Sequence, residues 1–131
     1  MTATTTLRAR SMSVTITAND LDRSIRFYTE GLGFVVTDRY EESGRLRGVM
    51  MEAGGAEIGL SQDDFTKGRD RIKGVGMGLY VVTDQDLGEI VRQARAAGIT
   101  PEGDPAPLPW GPLAFRVTDP DGFRLTIANP G

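Results

Sequence analysis

The chain has 131 residues, 39% hydrophobic and 25% charged, which bounds it to one compact domain or two small, tightly packed modules with a real core. It contains no cysteine and no histidine, and this excludes disulfides, thiolate catalysis, zinc-thiolate sites and the commonest general base at neutral pH. A net charge of −3 and a pI near 4.9 argue against nucleic acid as a partner; no run approaches the roughly 18 apolar residues of a membrane span, and MTATTTLRAR has no apolar signal-peptide core, so no membrane partner and a cytoplasmic address are expected.

Residues 1–10 are polar and Thr-rich, the composition of a loose start. From Ser13 to Ala18 small polar residues (Ser13, Thr15, Thr17) alternate with apolar ones, the period of a half-buried strand. Asn19 or Asp20 can cap a helix whose Leu21, Ile25, Tyr28 and Leu32 form one apolar stripe, and Gly31 and Gly33 end it. Strands follow at Phe34–Tyr40, Leu46–Ala53 and Ala56–Ser61, with a turn at Glu41–Gly44 and a Gly54-Gly55 hairpin turn. The first half thus reads βαβββ.

A charged connector leads to a restart of the same pattern. Met77–Thr83 reads as a strand, Asp84 as a cap, and Leu87, Ile90, Val91, Ala94 and Ala97 as a second helical stripe ended by Gly98. Ile99-Thr100 can begin a strand, but prolines at 101, 105, 107, 109 and 112 make the following segment largely loop, with Trp110 inside it. Leu113–Thr118 and Phe123–Ala128 close the chain as a hairpin around Asp119-Pro120-Asp121-Gly122. Leu21 and Leu87, and Phe34 and Ile99, lie about half a chain apart, the mark of an internal duplication. The expected fold class is α+β, with two tandem βαβββ modules at 11–62 and 75–131 joined by a connector at 63–74, packed as one compact domain around a curved, sheet-lined cup.

A strand followed by D-L-x-x-S-x-x-F-Y-x-x-x-L-G-F (Asp20 to Phe34), together with D-P-D-G-F (Asp119 to Phe123) before the last strand, resembles the vicinal oxygen chelate superfamily. Its members include glyoxalases, extradiol dioxygenases and bleomycin-type drug-binding proteins, and the resemblance runs from about Ser13 to Ala128. It implies a homodimer, with metal ligands on the first and last strands of each module. The counterparts in this chain are Ser13, seven residues before Asp20, and Met77, seven before Asp84, with Gly59 and Thr126 in the last strands. None is His, Glu or Asp, so no metal and no cofactor are expected; Glu57, two residues from Gly59 on the same face, is the one nearby carboxylate.

Strand alternation assigns Ser13, Thr15, Thr17, Glu57, Gly59, Ser61, Met77, Leu79, Val81, Arg124, Thr126 and Ala128 to the cup, and Tyr80, Val82 and the rest of the opposite parity to the helix side. Arg47, Val49 and Met51 share one face of the third strand, also assigned to the cup. Such a lining suits a small organic molecule, although the cup's own side chains can equally fill it. Trp110, on a proline-stiffened loop, suits stacking on a planar ligand, a hydrophobic plug or a dimer contact. Three functions follow: a metal-free protein binding an antibiotic-like or aromatic molecule, a glyoxalase-like lyase, isomerase or dioxygenase-related enzyme with Glu57 as base, or modules that serve dimerisation alone.

Overall fold

Both halves of the chain fold to one plan in the computed structural model, which describes residues 6–131. Strand β1 (Val14–Ala18) runs parallel to β4 (Ala56–Gln62), and β3 (Arg45–Ala53) and β2 (Val35–Glu42) follow antiparallel, giving the order β1-β4-β3-β2. In the second sheet β5 (Gly78–Val82) lies parallel to β8 (Arg124–Ala128), followed by β7 (Leu113–Thr118) and the two-residue β6 (Ala106–Pro107). This is the α+β, doubled βαβββ architecture that the periodicity predicts. Residues 6–13 are exposed and form neither helix nor strand, and residues 1–5 of the expected loose start lie outside the described residues.

Helix α1 (Leu21–Arg26) begins at Asp20, whose carboxylate accepts the Arg23 N–H at 3.2 Å, and continues as a π-helical turn over Phe27–Gly31. Helix α2 (Leu87–Ala96) begins two residues later than expected, and its cap is Asp86, which accepts the Gly88 N–H at 2.9 Å. The cause is Asn129: its side-chain amide donates to the carbonyls of Thr83 at 2.8 Å and Gln85 at 2.9 Å, so residues 83–85 are held as a turn. Ile99-Thr100 forms no strand. Ile99 instead lies over Gly31, where an added Cβ would stand 2.0 Å from its Cδ1, so the absent side chain of Gly31 is what lets the two modules close together.

One hydrophobic core serves both modules. Ile16, Val49, Met51, Ile58 and Leu60 from the first sheet and Phe115, Val117, Leu125 and Ile127 from the second pack with Leu21, Tyr28, Leu87 and Val91 of the helical segments. The two sheets therefore turn their helix-covered faces toward a common centre, and each leaves its other face open. Tyr28 is fully buried between Phe27 and Phe34, with edge-to-face ring pairs at 5.0 and 5.7 Å.

The seam between the modules is fastened at one end. The Tyr28 hydroxyl donates to Asp119 at 2.8 Å, the buried Ser24 hydroxyl donates to Asp121 at 3.2 Å, and the Asn19 N–H donates to the other Asp121 oxygen at 3.0 Å. Asp119 also accepts the N–H groups of Asp121 and Phe123, both at 2.9 Å, so one turn residue shapes its own hairpin and holds the π-helical turn after α1 to it. At the corresponding end of the seam, near the Gly54-Gly55 turn and the start of α2, there is instead a cleft of about 450 Å³ between Leu32, Phe34, Ala53, Val82, Gln85 and Ile90.

Candidate functional site

The open face of the first sheet is hollowed because its two central strands present glycines to it. Gly48 of β3 pairs with Ser61, and Gly59 of β4 pairs with Met50 and with Thr15 of β1. A Cβ on Gly59 would lie 3.1 Å from the Thr15 hydroxyl and 3.4 Å from the Met50 methyl, and one on Gly48 would lie 3.0 Å from the Leu60 carbonyl. The result is a trough of about 610 Å³ floored by these glycines, with Thr15, Met50 and Ser61 beside them and Asp38, Tyr40 and Glu42 of the edge strand as one wall. Its volume falls in the range of small-molecule sites.

Charged groups stand around this trough: Asp38, Glu42 and Asp64 against Arg39 and Arg47. The Asp64 carboxyl is held below its ordinary value by the Thr66 backbone N–H and hydroxyl, and the Tyr40 phenol is pushed up by its 2.9 Å bond to Glu42. Arg47 reaches the trough through a β-bulge. Tyr40 pairs with Gly48 and Glu41 with Leu46, so Arg47 is the extra residue, and the register shift sends Leu46 to the core while Arg47 lines the open side. Met51 does not line it, and Val49 does so as a residue of the floor that is itself buried in the core cluster. Both are buried in the core opposite Ile58 and Leu60, and Gly48, Met50 and Glu52 take the open face of β3.

Thr15 lines the trough, Thr17 lies at the neighbouring opening beside Asp63, Thr66 and Arg71, and Ser13 is exposed just before β1. Glu57 shares the face of Gly59 and Ser61 but sits at the far end of β4, half-buried and directly opposite Glu52. The trough is lined by the first module and the start of the connector alone.

The open face of the second sheet corrects the expected parity of β5. Tyr80 pairs with Thr126 and Val82 with Ala128, while Leu79 and Val81 lie beside Leu125 and Ile127 and pack on the core. Leu79 is therefore a core residue, and Tyr80 is a face residue, 50% exposed. Met77 lies outside the strand, and the face position at the head of β5 is Gly78, paired with Arg124. Arg124 and Thr126 keep the assigned face, in the rows Gly78, Arg124, Thr118 and Tyr80, Thr126, Arg116. Arg124 is engaged by Glu102 at 3.1 Å, and Arg116 donates through Nε to the Thr126 hydroxyl at 3.4 Å.

Trp110 stands over this face with its ring 6.5 Å from that of Tyr80 and tilted by 36°. At 64% exposure it is no plug. The plug is Leu108, which packs on Ala114 and Ala128 and is pinned by its N–H to the Pro112 carbonyl at 2.8 Å, with Gly111 closing the turn back to Leu108. Tyr80, Val82 and Trp110 leave apolar surface exposed on this face beside two arginines.

The metal positions implied by the resemblance become Ser13, Gly59, Gly78 and Thr126 once the register of β5 is corrected. That set offers two hydroxyls and two bare backbones, which do not fit a divalent ion that wants imidazole or carboxylate. Among the described residues no three His, Cys, Asp or Glu side chains gather in a metal-binding group. Nor is any helix of the described residues long and apolar enough to cross a membrane.

Sequence reading missed Tyr80, Gly48, Met50, Gly78 and Arg116. Arg116 was legible, since it alternates with Phe115 and Val117, out of phase with the core; the others needed the register.

A family model described as Glyoxalase/Bleomycin resistance protein/Dioxygenase superfamily matches residues 10–127. Lactoylglutathione lyase GLX1 of Arabidopsis thaliana is 31% identical over 129 residues, covering 93% of this chain but 44% of the plant protein, and a chloroplastic relative from the same plant is 27% identical over 95% of this chain and 37% of its own length. The chain thus spans less than half the length of these relatives. A crystal structure of a member of that superfamily from Sphaerobacter thermophilus DSM 20745 matches with a TM-score of 0.74 at 24% identity, covering 94% of this chain and 98% of the other. TioX from Micromonospora sp. ML1 matches with a TM-score of 0.72 at 21% identity, covering 92% and 98%.

Proposed function

The chain belongs to the glyoxalase/bleomycin resistance protein/dioxygenase superfamily, and we propose that it binds a small organic molecule bearing a flat ring, without a resident divalent metal. The observation that carries this reading is the donor set of Ser13, Gly59, Gly78 and Thr126 on faces that otherwise have the size and lining of a ligand site. Glycine at two of the four positions leaves room for ligand atoms where a liganding side chain would stand. The glycine-floored trough and the Tyr80/Trp110 patch are half-sites on separate sheets, each open to solvent. A second copy of the chain supplies the missing half: carboxylates predominate around the trough, and the other face carries Arg116 and Arg124 beside its apolar patch.

Three measurements test this. Elemental analysis of protein purified without chelator returns less than stoichiometric zinc, nickel, manganese or iron; one equivalent of any of them overturns the metal-free reading. Sedimentation gives twice the 14.2 kDa chain mass. Titration with a panel of neutral, cationic and anionic planar aromatics changes the fluorescence of the single tryptophan saturably for at least one member, and Trp110→Ala weakens that binding about tenfold, as loss of a stacking contact worth roughly 1 kcal/mol or more does. A panel with no saturable member sinks the binding role.

A lyase is the second reading, favoured by the activity in the names of the plant relatives. Glu57 is its candidate base. Turnover in a lactoylglutathione lyase assay, abolished by Glu57→Gln, would establish it in place of binding alone.

A further inference from the structure

The second sheet's open face carries two adjoining exposed rings, where the trough of the first carries one, Tyr40. Tyr80 and Trp110 are 50% and 64% exposed, and their rings, 6.5 Å apart and tilted by 36°, leave too little room for a third ring between them, which needs about 7 Å for two stacking contacts. Instead they offer two adjoining faces on which a flat group can lie.

Beside them is Arg116. The row Tyr80, Thr126, Arg116 crosses three adjacent strands, so the two outer residues are about 10 Å apart at the backbone, two strand spacings. The bond from Arg116 Nε to the Thr126 hydroxyl draws the guanidinium back over β8 toward the aromatic pair and leaves both terminal amino groups unused by it. Among the described residues no carboxylate lies within ion-pair distance of Arg116, whereas Arg124 is met by Glu102, Arg95 by Asp104 and Arg92 by Glu89. The carboxylates that share a cavity with Arg116, Glu102 and Asp104, are held by Arg124 and Arg95, so within the chain the fork is oriented but not ion-paired, and next to exposed rings it is a recognition element for a planar anionic group.

Resting on the binding role proposed above, we infer that this face selects a flat aromatic ligand carrying a carboxylate or comparable anion, its ring on Tyr80 and Trp110 and its charge on Arg116. The separation of about one strand spacing between guanidinium and ring fits a one- or two-ring aryl acid better than a long-armed one.

The test uses 2-naphthoate and its neutral counterpart 2-naphthamide as probes of the full chain, followed by the indole N–H resonance of the single tryptophan and by calorimetry. The acid binds about tenfold more tightly than the amide, the size of one charge-assisted contact on an exposed face. Arg116→Gln removes that preference while both probes still shift the indole, and Arg92→Gln, which deletes the same charge from α2, keeps it. Should Arg116→Gln not fold, the wild-type protein answers by salt: raising ionic strength weakens the acid and spares the amide. Equal binding of both probes by the wild type, or a preference that survives Arg116→Gln, overturns the inference while leaving the binding role intact. Binding of neither probe when another planar aromatic still binds also overturns it, and failure of every aromatic overturns the binding role with it. A fall in self-association on Arg116→Gln without change in the acid preference assigns the guanidinium to the second copy instead.

Discussion

Replacing Tyr28 by Phe tests whether the modules are fastened through Asp119. The ring is fully buried and keeps its packing on Phe27 and Phe34, so the change removes only the hydroxyl that donates to Asp119 at 2.8 Å. Burial holds the Asp119 carboxyl above its ordinary value, and burial together with the neighbouring carboxylate raises the Tyr28 phenol, so the hydroxyl keeps its proton and remains a donor across the accessible range. Losing a hydrogen bond to a buried carboxylate costs roughly 2 kcal/mol, because the oxygen left behind is cut off from water. For a chain of this length each kcal/mol moves Tm by about 3–5 °C, so the expected fall is about 6–10 °C by calorimetry or denaturant melts. In an Asp119→Asn background the same change should cost only about half as much, since no buried charge is stranded. A fall of under about 2 °C, or an undiminished cost in the Asp119→Asn background, would refute the reasoning.

Asp63 is buried and engaged by Lys73 at 2.9 Å, Arg71 at 3.1 Å and the Phe65 N–H, which hold its carboxyl below its ordinary value of 3.8. Its contribution is therefore complete above pH 3.8 and is lost as pH falls from there toward the folded value, so the stability gap between wild type and Asp63→Asn, read from melts across pH, closes on acidification below about pH 4. Asp119 has the opposite sign: stability falls as pH rises from 3.8 through its raised value, and Asp119→Asn flattens that slope. Gly74→Ala destabilises by about 2 kcal/mol or more, because its φ of +79° is left-handed and the new Cβ would stand 2.5 Å from the Gly122 carbonyl oxygen; an unchanged melting temperature disproves that contact. Grafting Ser13→His, Gly59→Glu, Gly78→His and Thr126→Glu creates zinc or nickel uptake measurable by equilibrium dialysis, whereas the set with Met77→His in place of Gly78→His takes up less; the reverse result would restore the original register of β5.

The doubled fold was legible because each module announces itself by a strand followed by a helix with an apolar stripe and a glycine exit, and these signals depend on neighbours in sequence. The site was legible where one strand face is polar, as at Thr15 and Gly59. It was not legible in β5, where Leu79, Tyr80, Val81 and Val82 are apolar on both parities and alternation has nothing to choose between. Counting back seven residues then gave the wrong answer from either aspartate, Met77 from Asp84 and the core residue Leu79 from the actual cap Asp86, because the face position Gly78 stands eight residues before its cap where Ser13 stands seven before Asp20. In β3 the apolar run Val49-Met50-Met51 hides its parity in the same way, and the bulge at Arg47 is a property of pairing with β2 that no single strand reveals. The approach of Trp110 to Tyr80 is likewise set by Leu108 docking on Ala114 and Ala128, a contact between distant segments.

The seam that is bonded at Asp119 and Asp121 but gapped beside Gly54-Gly55 means that the two corresponding hairpins are not equivalent as places to edit the chain. The Gly54-Gly55 tip is exposed and holds nothing across the seam, so extra residues there lengthen a loop at small entropic cost. The same extension between Pro120 and Asp121 would pull apart the oxygens that hold Asn19, Ser24 and Tyr28. Peptide tags, labels or fused binding loops therefore belong in the first hairpin, where new sequence can be carried without unfastening the domain.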